Sequence, residues 1–562
     1  MKVIPKMKPE MIMMNNNKMS NMKRFYNILG LAMFFGALVS CNKADMDTNT
    51  SKYNAVFKAS FEQPAAEAKT VLGGTDNHDV LWVKGDAIKI WDDAKLSGTY
   101  TASQAGGTSY FNVINAEEGF TDENAEYAFY PANAVNGIDG DVISFTIPAN
   151  QTYAENSFGA DANFAVSKVV TEKSGDRDIH VLYFTNVAGA LRIQLTCDPS
   201  TTPVSVSKIV LKDKSQNICG TFCVDASGEK PAAQYVENGG KKITLNCPTP
   251  VALSTDPANP TSFYITLPVG AIAQNNGFIA EVYNAYGHLV TVLKASNKDG
   301  KATIKRSNIT RMNNKHFPWI PKEVTEATYL QSHLMDPTYI PELGKEVYKS
   351  QFINTGVNPV NGIRVQMKGS MDSPAAADGY GNPSFCGLID PSAVSTWSPW
   401  ISIDYHAGIT GVRASLNGKN HFSSPLVKIG TIAEYDINFF PGNNNFTGSV
   451  NGSEFTDTYG HPELGMPNQT NFFIFAEGRL NTALTPGDGK ENAQGTQFAE
   501  NRGICSIYMF VMYDRNDTMI RNFVPAQYNG KNGMWDAVNG NFYGPCTNRF
   551  CSGEFILGKT IL

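Results

Sequence analysis

The chain has 562 residues, room for about three domains with large cores, so a peptide-sized or disulfide-only scaffold is excluded. Its formal charge is −6, from 46 basic and 52 acidic residues, and charged residues make up 17 %, below the roughly 25 % of ordinary soluble proteins; no basic face for nucleic acid is implied. With 42 % apolar and 11 % aromatic residues the chain is not disordered, and its one conspicuous apolar run, Ile28 to Val39, is too short to span a bilayer.

At the N-terminus Lys23 and Arg24 precede that run, which ends in Leu38, Val39, Ser40 and Cys41. A charged segment, a short apolar segment and a small residue before a cysteine form an export signal, and the pattern resembles the lipobox of bacterial lipoproteins. The resemblance implies a signal peptide over 1–40, with Met22 as its natural start, and acylation of Cys41. Asn42 after the cysteine implies outer-membrane placement. Residues 41–52 read as a polar tether. Eight further cysteines lie in a chain bound for a disulfide-permissive compartment, so a pair such as Cys546 with Cys551 is open to it; Cys219 and Cys223 lack the second close pair that a zinc site requires.

Short alternating or β-branched runs then recur between Gly, Asn, Asp and Pro turns: Ala55 to Phe61, Val80 to Val83, Ala87 to Trp91, Tyr127 to Tyr130, Val142 to Ile147, Val181 to Phe184 and Ala190 to Leu195. This is the pattern of an all-β sandwich. A second set begins at Val204 and includes Lys208 to Leu211, Gly220 to Val224, Lys242 to Leu245, Phe263 to Leu267, Phe278 to Tyr283, Leu289 to Leu293 and Ala302 to Ile304. These runs predict one sandwich over 53–200 and another over 201–318, closed by the Pro-bearing joint Phe317 to Pro321. The stretch 323–562 carries longer Asn- and Gly-rich loops between strands such as Arg364 to Met367, Trp400 to Tyr405, Gly411 to Leu416, Glu434 to Phe440, Asn471 to Phe475 and Cys505 to Asp514. Its size suits a two-sheet jelly roll.

Lys69-Thr70 followed by Val80-Leu81-Trp82-Val83-Lys84-Gly85-Asp86-Ala87-Ile88-Lys89-Ile90 resembles the opening signature of the fimbrillin family, subunits of bacterial fimbriae. Tyr127 to Ala132, Ile147-Pro148 with Gln151, Phe184 to Leu191, Gly220 with Phe222 and Val224-Asp225, and Phe263 to Pro268 extend the match over about 52–318. Trp82 and Ile88 also read as core and Gly85-Asp86 as a turn, so the match speaks to architecture and not to chemistry. It implies two transthyretin-like β-sandwiches and partners recruited by strand donation into a neighbouring fimbrial subunit. The family's cleavage after an arginine finds Lys69 instead, with no arginine between Arg24 and Arg177. A further domain of this bulk after the two sandwiches implies a tip or accessory subunit rather than a shaft subunit. Arg521 to Ala526, Gly533 to Asp536 and Gly540 to Gly544 resemble the closing strands of concanavalin A-like (laminin G-like) jelly rolls; Tyr329 to Ser332 and Tyr339-Ile340 fit the entry strands. Such domains often bind glycans.

Catalytic patterns are sparse. The Glu-x-Asp-x-x-Glu run of jelly-roll glycosidases, a Gly-x-Ser-x-Gly elbow and a His-Glu-x-x-His helix are all missing from the sequence. Asp404 and His406 share one strand face, which is an acid pair, a metal feature or a solvated surface. Asp139 with Asp141 and Asp488 with Glu491 do not follow a known calcium loop, so no metal and no cofactor is assigned. Sugar recognition needs an aromatic platform and side-chain amides or carboxylates, and Trp397, Trp400, Tyr405, Trp535 and Asn443 to Asn445 are the candidates for those two tasks. The expectation is a non-enzymatic outer-membrane lipoprotein that adheres to a host or bacterial surface glycan or protein through its C-terminal domain. The rival readings are a glycan-binding lipoprotein of nutrient uptake and, below it, a jelly-roll glycosidase.

Overall fold

The computed structural model describes residues 55–62, 80–159, 162–174, 177–272, 277–295, 303–340, 345–374, 383–390, 399–406, 409–440, 445–458, 460–480, 497–500, 503–545 and 553–559. Cys41, the signal segment, Lys69, Trp397, Asn443, Asn444, Asp488, Glu491, Cys546 and Cys551 lie outside them. Among the described residues the protein is all-β, with short 3-10 turns such as Asp122–Asn124 and no helix long and apolar enough to cross a membrane.

The first sheet is a closed barrel. Its order runs Phe57–Phe61, Arg177–Asn186, Ala165–Ser174, Ala125–Tyr130, Ala87–Asp92, Ser97–Ala102 and Thr108–Ala116, the last pairing back to the first. Phe57, Ala59 and Phe61 alternate inward and are buried; Phe61 stacks on Trp82 at 4.2 Å, and the Trp82 indole donates to the Ala59 carbonyl at 3.1 Å. The expected Gly85-Asp86 reversal is present, with Gly85 at φ 96°, where a side chain would be strained, and the Asp86 carboxylate accepting from the Val83 amide. A sandwich was expected here. Inward–outward alternation is common to sandwiches and barrels, and closure depends on where the first strand docks, which local pattern does not encode.

Pairing in the middle module runs across residue 200. Ala188–Cys197 pairs antiparallel with Thr261–Pro268 and parallel with Ile309–Arg311 and Lys315–Phe317. Val142–Ile147 pairs with Cys219–Asp225, and Asn150–Ala154 with Lys242–Ala252. The segment Val135 to Phe158 therefore builds the middle module although barrel strands precede and follow it. The predicted run Ala302 to Ile304 is not a strand at its described positions; the edge beside Ala188–Cys197 is taken by Ile309–Arg311. Phe145, Ile193, Phe222, Leu245, Phe263 and Val282 are fully or almost fully buried in one core that also takes in Trp91 and Phe129 of the barrel strands.

Residues beyond Pro321 form a sandwich of two large sheets, with Leu334–Ile340 and Lys345–Ser350 paired as a separate two-stranded sheet. The larger sheet runs Ser453–Thr458, Asn445–Val450, Ala433–Phe439, Ile363–Pro374, Gly503–Tyr513, Met519–Tyr528, Lys531–Asp536, Asn541–Tyr543, with Thr325–Glu326, Leu330–Gln331 and Ile556–Leu557 attached. The smaller contains Phe473–Ile474, Ser384–Ile389, Trp400–His406, Gly411–Leu416 and Lys419–Phe422. Val365, Met367, Ile403, Ile437, Phe475 and Phe510 fill the space between.

This sandwich is not a separate head. Val324, Val524, Ala526 and Trp535 enter the core of the middle module, and Met509, Val511 and Tyr513 pack on Val210, Tyr283 and Leu289. Polar groups join across the same boundary: the buried Glu326 carboxylate accepts from Asn284 Nδ2 at 2.7 Å and Trp319 Nε1 at 3.3 Å and lies 2.5 Å from His288 Nδ1. Cys197, Cys219, Cys223, Cys247, Cys386 and Cys505 are free thiols; burial pushes Cys505 up to about 12 and Cys247 up to about 11.

Candidate functional site

Alternation along the larger sheet divides it into two faces. In Ile363–Pro374 and Ala433–Phe439, Val365, Met367, Tyr435 and Ile437 point into the sandwich, leaving Arg364, Gln366, Lys368, Glu434, Asp436 and Asn438 on the outer face. Register places Asp436 opposite Ser449 and Asn438 opposite Thr447, with Glu454 and Thr456 one strand further out. Across the next strand, Gly503–Tyr513, the outer face is apolar and covered by the middle module. The uncovered polar part forms an open cleft of about 700 Å³ walled by the turn bearing Arg515 and Asp517.

Arg364 organises the cleft. Its Nε and Nη2 donate to the two Asp436 oxygens at 2.6 and 2.7 Å, its Nη1 donates to Asp517 at 3.2 Å, and its guanidinium lies 4.7 Å from the centre of the Tyr513 ring. Burial alone would lower its basicity, but hydrogen bonding and charge from Asp436, with Tyr513 and Asp517 adding, hold the guanidinium above its ordinary value. The fork geometry fixes three charged groups in one plane-matched array. Asp514 Oδ1 accepts from the amides of Asn516 and Thr518, which shapes the turn, and Lys294 of the middle module donates to the Asp517 carbonyl. The cleft thus presents carboxylate, guanidinium, hydroxyl and amide groups on a rigid floor, the complement of a hydroxyl-rich ligand.

The residues nominated from sequence do not converge on this cleft. Tyr405 is buried in the sandwich core, and Trp535 is 8 % exposed, packed edge-on to Tyr528 at the boundary with the middle module. Both serve packing. Trp400 is half-buried on the other sheet, its indole donating to Ser402 Oγ at 2.7 Å beneath the Arg413 guanidinium. Asp404 is neither a solvated group nor a free acid: it is fully buried, with Ser402 Oγ and Arg413 Nε donating to its two oxygens. Among the described residues no group of three or more His, Cys, Asp or Glu is placed to hold a metal ion. Arg364, Asp436, Thr447 and Ser449 escaped the sequence reading, although the polar positions alternating through Arg364 to Met367 and Glu434 to Phe440 were the signal for them.

No model of a known protein family matches the chain, and no curated protein does. Several solved structures are similar to it, three from Bacteroides among them. A candidate cell adhesion protein from Bacteroides uniformis shares 15 % identity over 45 % of this chain and 88 % of its own, with a TM-score of 0.26. A fimbrial protein from Bacteroides ovatus shares 10 % over 58 % and 68 %, with a TM-score of 0.23. A candidate carbohydrate-binding protein from Bacteroides ovatus shares 9 % over 66 % and 93 %, with a TM-score of 0.22. Likenesses of this strength carry no argument about function, which rests on the residues of the cleft.

Proposed function

We propose that the protein is a surface-displayed lipoprotein adhesin, anchored through Cys41, whose barrel and middle module act as a fimbrillin-like stalk and whose C-terminal sandwich binds a glycan without transforming it. The observation that carries this reading is the open polar cleft organised by the Arg364–Asp436–Asp517 array. Each carboxylate of that array already faces a guanidinium, an arrangement suited to accepting and donating hydrogen bonds and ill suited to proton transfer or nucleophilic attack. Display of many weak sites on one surface converts modest affinity into avidity.

The test is a glycan array probed with the non-lipidated chain beginning at Asn42, alongside Thr456→Trp. Thr456 is exposed on the edge strand and lines the cleft, so the indole blocks the floor without disturbing the core. Retention of a defined glycan set by the parent, weakened about tenfold or more by the substitution, is expected. Absence of any retained glycan, or identical binding by both proteins, overturns the reading.

A further inference from the structure

Asp436 and Ser449 line the open cleft and also a second cavity of about 360 Å³ that lies between the larger sheet and the middle module. The two spaces are therefore neighbours across the side chains of Asp436 and Ser449, within reach of one extended ligand. In the middle module, Lys208, Val210 and Lys212 alternate on Ser205–Asp213, and Val210 packs against the C-terminal sheet, so both lysines face the cavity. Lys242 stands directly opposite Lys212 on the neighbouring strand and lines the same space.

The charges there can be paired one by one. Lys212 Nζ lies 2.6 Å from Glu281, whose other oxygen accepts from the Tyr283 hydroxyl at 3.0 Å. Lys368 faces Glu434 at 3.4 Å, and Asp436 is held by Arg364. Each carboxylate of the cavity thus has its own cation, and among the described residues neither Lys208 nor Lys242 has a carboxylate within ion-pair distance. Lys208 instead places its ammonium 4.6 Å from the centre of the Tyr283 ring. Burial pushes that ammonium below the ordinary lysine value, the nearby Lys368 and Lys242 pushing the same way and Glu434 and Glu281 the other. Lys208 is partly withdrawn from water, with Glu434 the strongest charge acting on it and Lys242 exposed at the same cavity, so a bound anion would supply the close partner that both ammonium groups lack.

We propose that this cavity is a subsite for an anionic group, a carboxylate, sulfate or phosphate held by Lys208 and Lys242, and that the ligand of the adjoining cleft is an acidic glycan. The second half rests on the glycan-binding reading of the cleft; the first does not. The middle module is then part of the recognition surface and not only a stalk.

The experiment measures binding of three probes to the chain beginning at Asn42: a glucuronate-containing tetrasaccharide, its carboxyl-reduced neutral counterpart, and inorganic sulfate. Lys208→Met keeps the aliphatic stem on Tyr283 and removes the charge; Lys208→Arg restores charge, and circular dichroism of each variant checks the fold. Acidic tetrasaccharide bound about tenfold more tightly than its neutral counterpart, with the advantage lost in Lys208→Met and recovered in Lys208→Arg, is the expected result. Equal binding of acidic and neutral forms, unchanged in Lys208→Met, overturns the subsite while the cleft reading stands. Sulfate binding that Lys208→Met abolishes, with neither tetrasaccharide bound, supports the anion subsite and removes the glycan from it. If no anionic probe binds, the subsite is overturned.

Discussion

At the scale of single residues, the outer face of the smaller sheet shows how a polar strand face is made compatible with burial. Trp400, Ser402 and Asp404 follow one another on that face, and a hydrogen-bond chain runs from the indole through Ser402 Oγ to Asp404, whose second oxygen meets Arg413 Nε at 2.7 Å. Burial raises the Asp404 carboxyl above its ordinary value, against the opposing pull of Arg413, Ser402 and His406. Arg413→Met removes the strongest of those opposing influences and leaves a buried carboxylate without that cation. A loss of about 3–5 kcal/mol in urea unfolding at neutral pH is expected. The pH dependence has a definite sign. A carboxyl whose folded-state value is raised binds its proton more tightly in the folded chain, so its contribution is fully present in acid and is lost as pH rises through the raised value. In Arg413→Met the value climbs further, so the cost relative to the parent must shrink as the pH is lowered from neutral toward the ordinary carboxylate range. A cost that stays constant over that range would contradict the account.

At the scale of elements, the strand Phe57–Phe61 closes the barrel by lying parallel to Arg177–Asn186 and antiparallel to Thr108–Ala116. Two Phe side chains and Ala59 leave the core if it is removed, uncovering Trp82, Phe111 and Phe184 and exposing the main-chain edges of both neighbours. A chain truncated through Glu62 is expected to self-associate in light scattering, and a synthetic peptide of residues 55–62 should return it to monomer by refilling the groove. A truncated chain that stays monomeric with an unchanged melting temperature would show that the strand is dispensable. Much of this element was legible: alternation marked Ala55 to Phe61, Val142 to Ile147 and Gly411 to Leu416 as strands, and Gly85-Asp86 as a turn. Ser97–Ala102 and Thr108–Ala116 were not read as strands, because Gly98, Thr99, Ser109 and Asn112 dilute their apolar rhythm. Barrel closure and the crossing of Val142–Ile147 into the middle module were invisible for a different reason. Strand partners are chosen by long-range fit, and a local pattern states only that a strand has an inner and an outer face. The same limit explains the cleft, whose floor comes from four strands that no short window contains, whereas the conspicuous aromatics Tyr405 and Trp535 were drawn into cores by their size.

At the scale of the whole molecule, cores are shared across the boundary that the Phe317 to Pro321 joint suggests. Val511 and Tyr513 of the C-terminal sandwich are buried against Val210 and Leu289, and Val524, Ala526 and Trp535 complete the core of the middle module. A fragment 323–562 loses all of these partners at once, and Glu326 loses Asn284, His288 and Trp319 together. Each large apolar side chain returned to water costs about 1.5–3 kcal/mol. The fragment is therefore expected to melt well below the C-terminal sandwich in the full chain, and calorimetry of the full chain should show the middle module and that sandwich unfolding in a single transition. Val511→Asp tests the coupling without a truncation, since it places a carboxylate between two buried apolar surfaces. It should lower the melting of both units together. Independent transitions, with only the C-terminal one displaced, would mean that the two units merely touch. A single displaced transition would mean that pull on the sandwich is carried directly into the module beneath it, which is what the proposed adhesive role would require of its support.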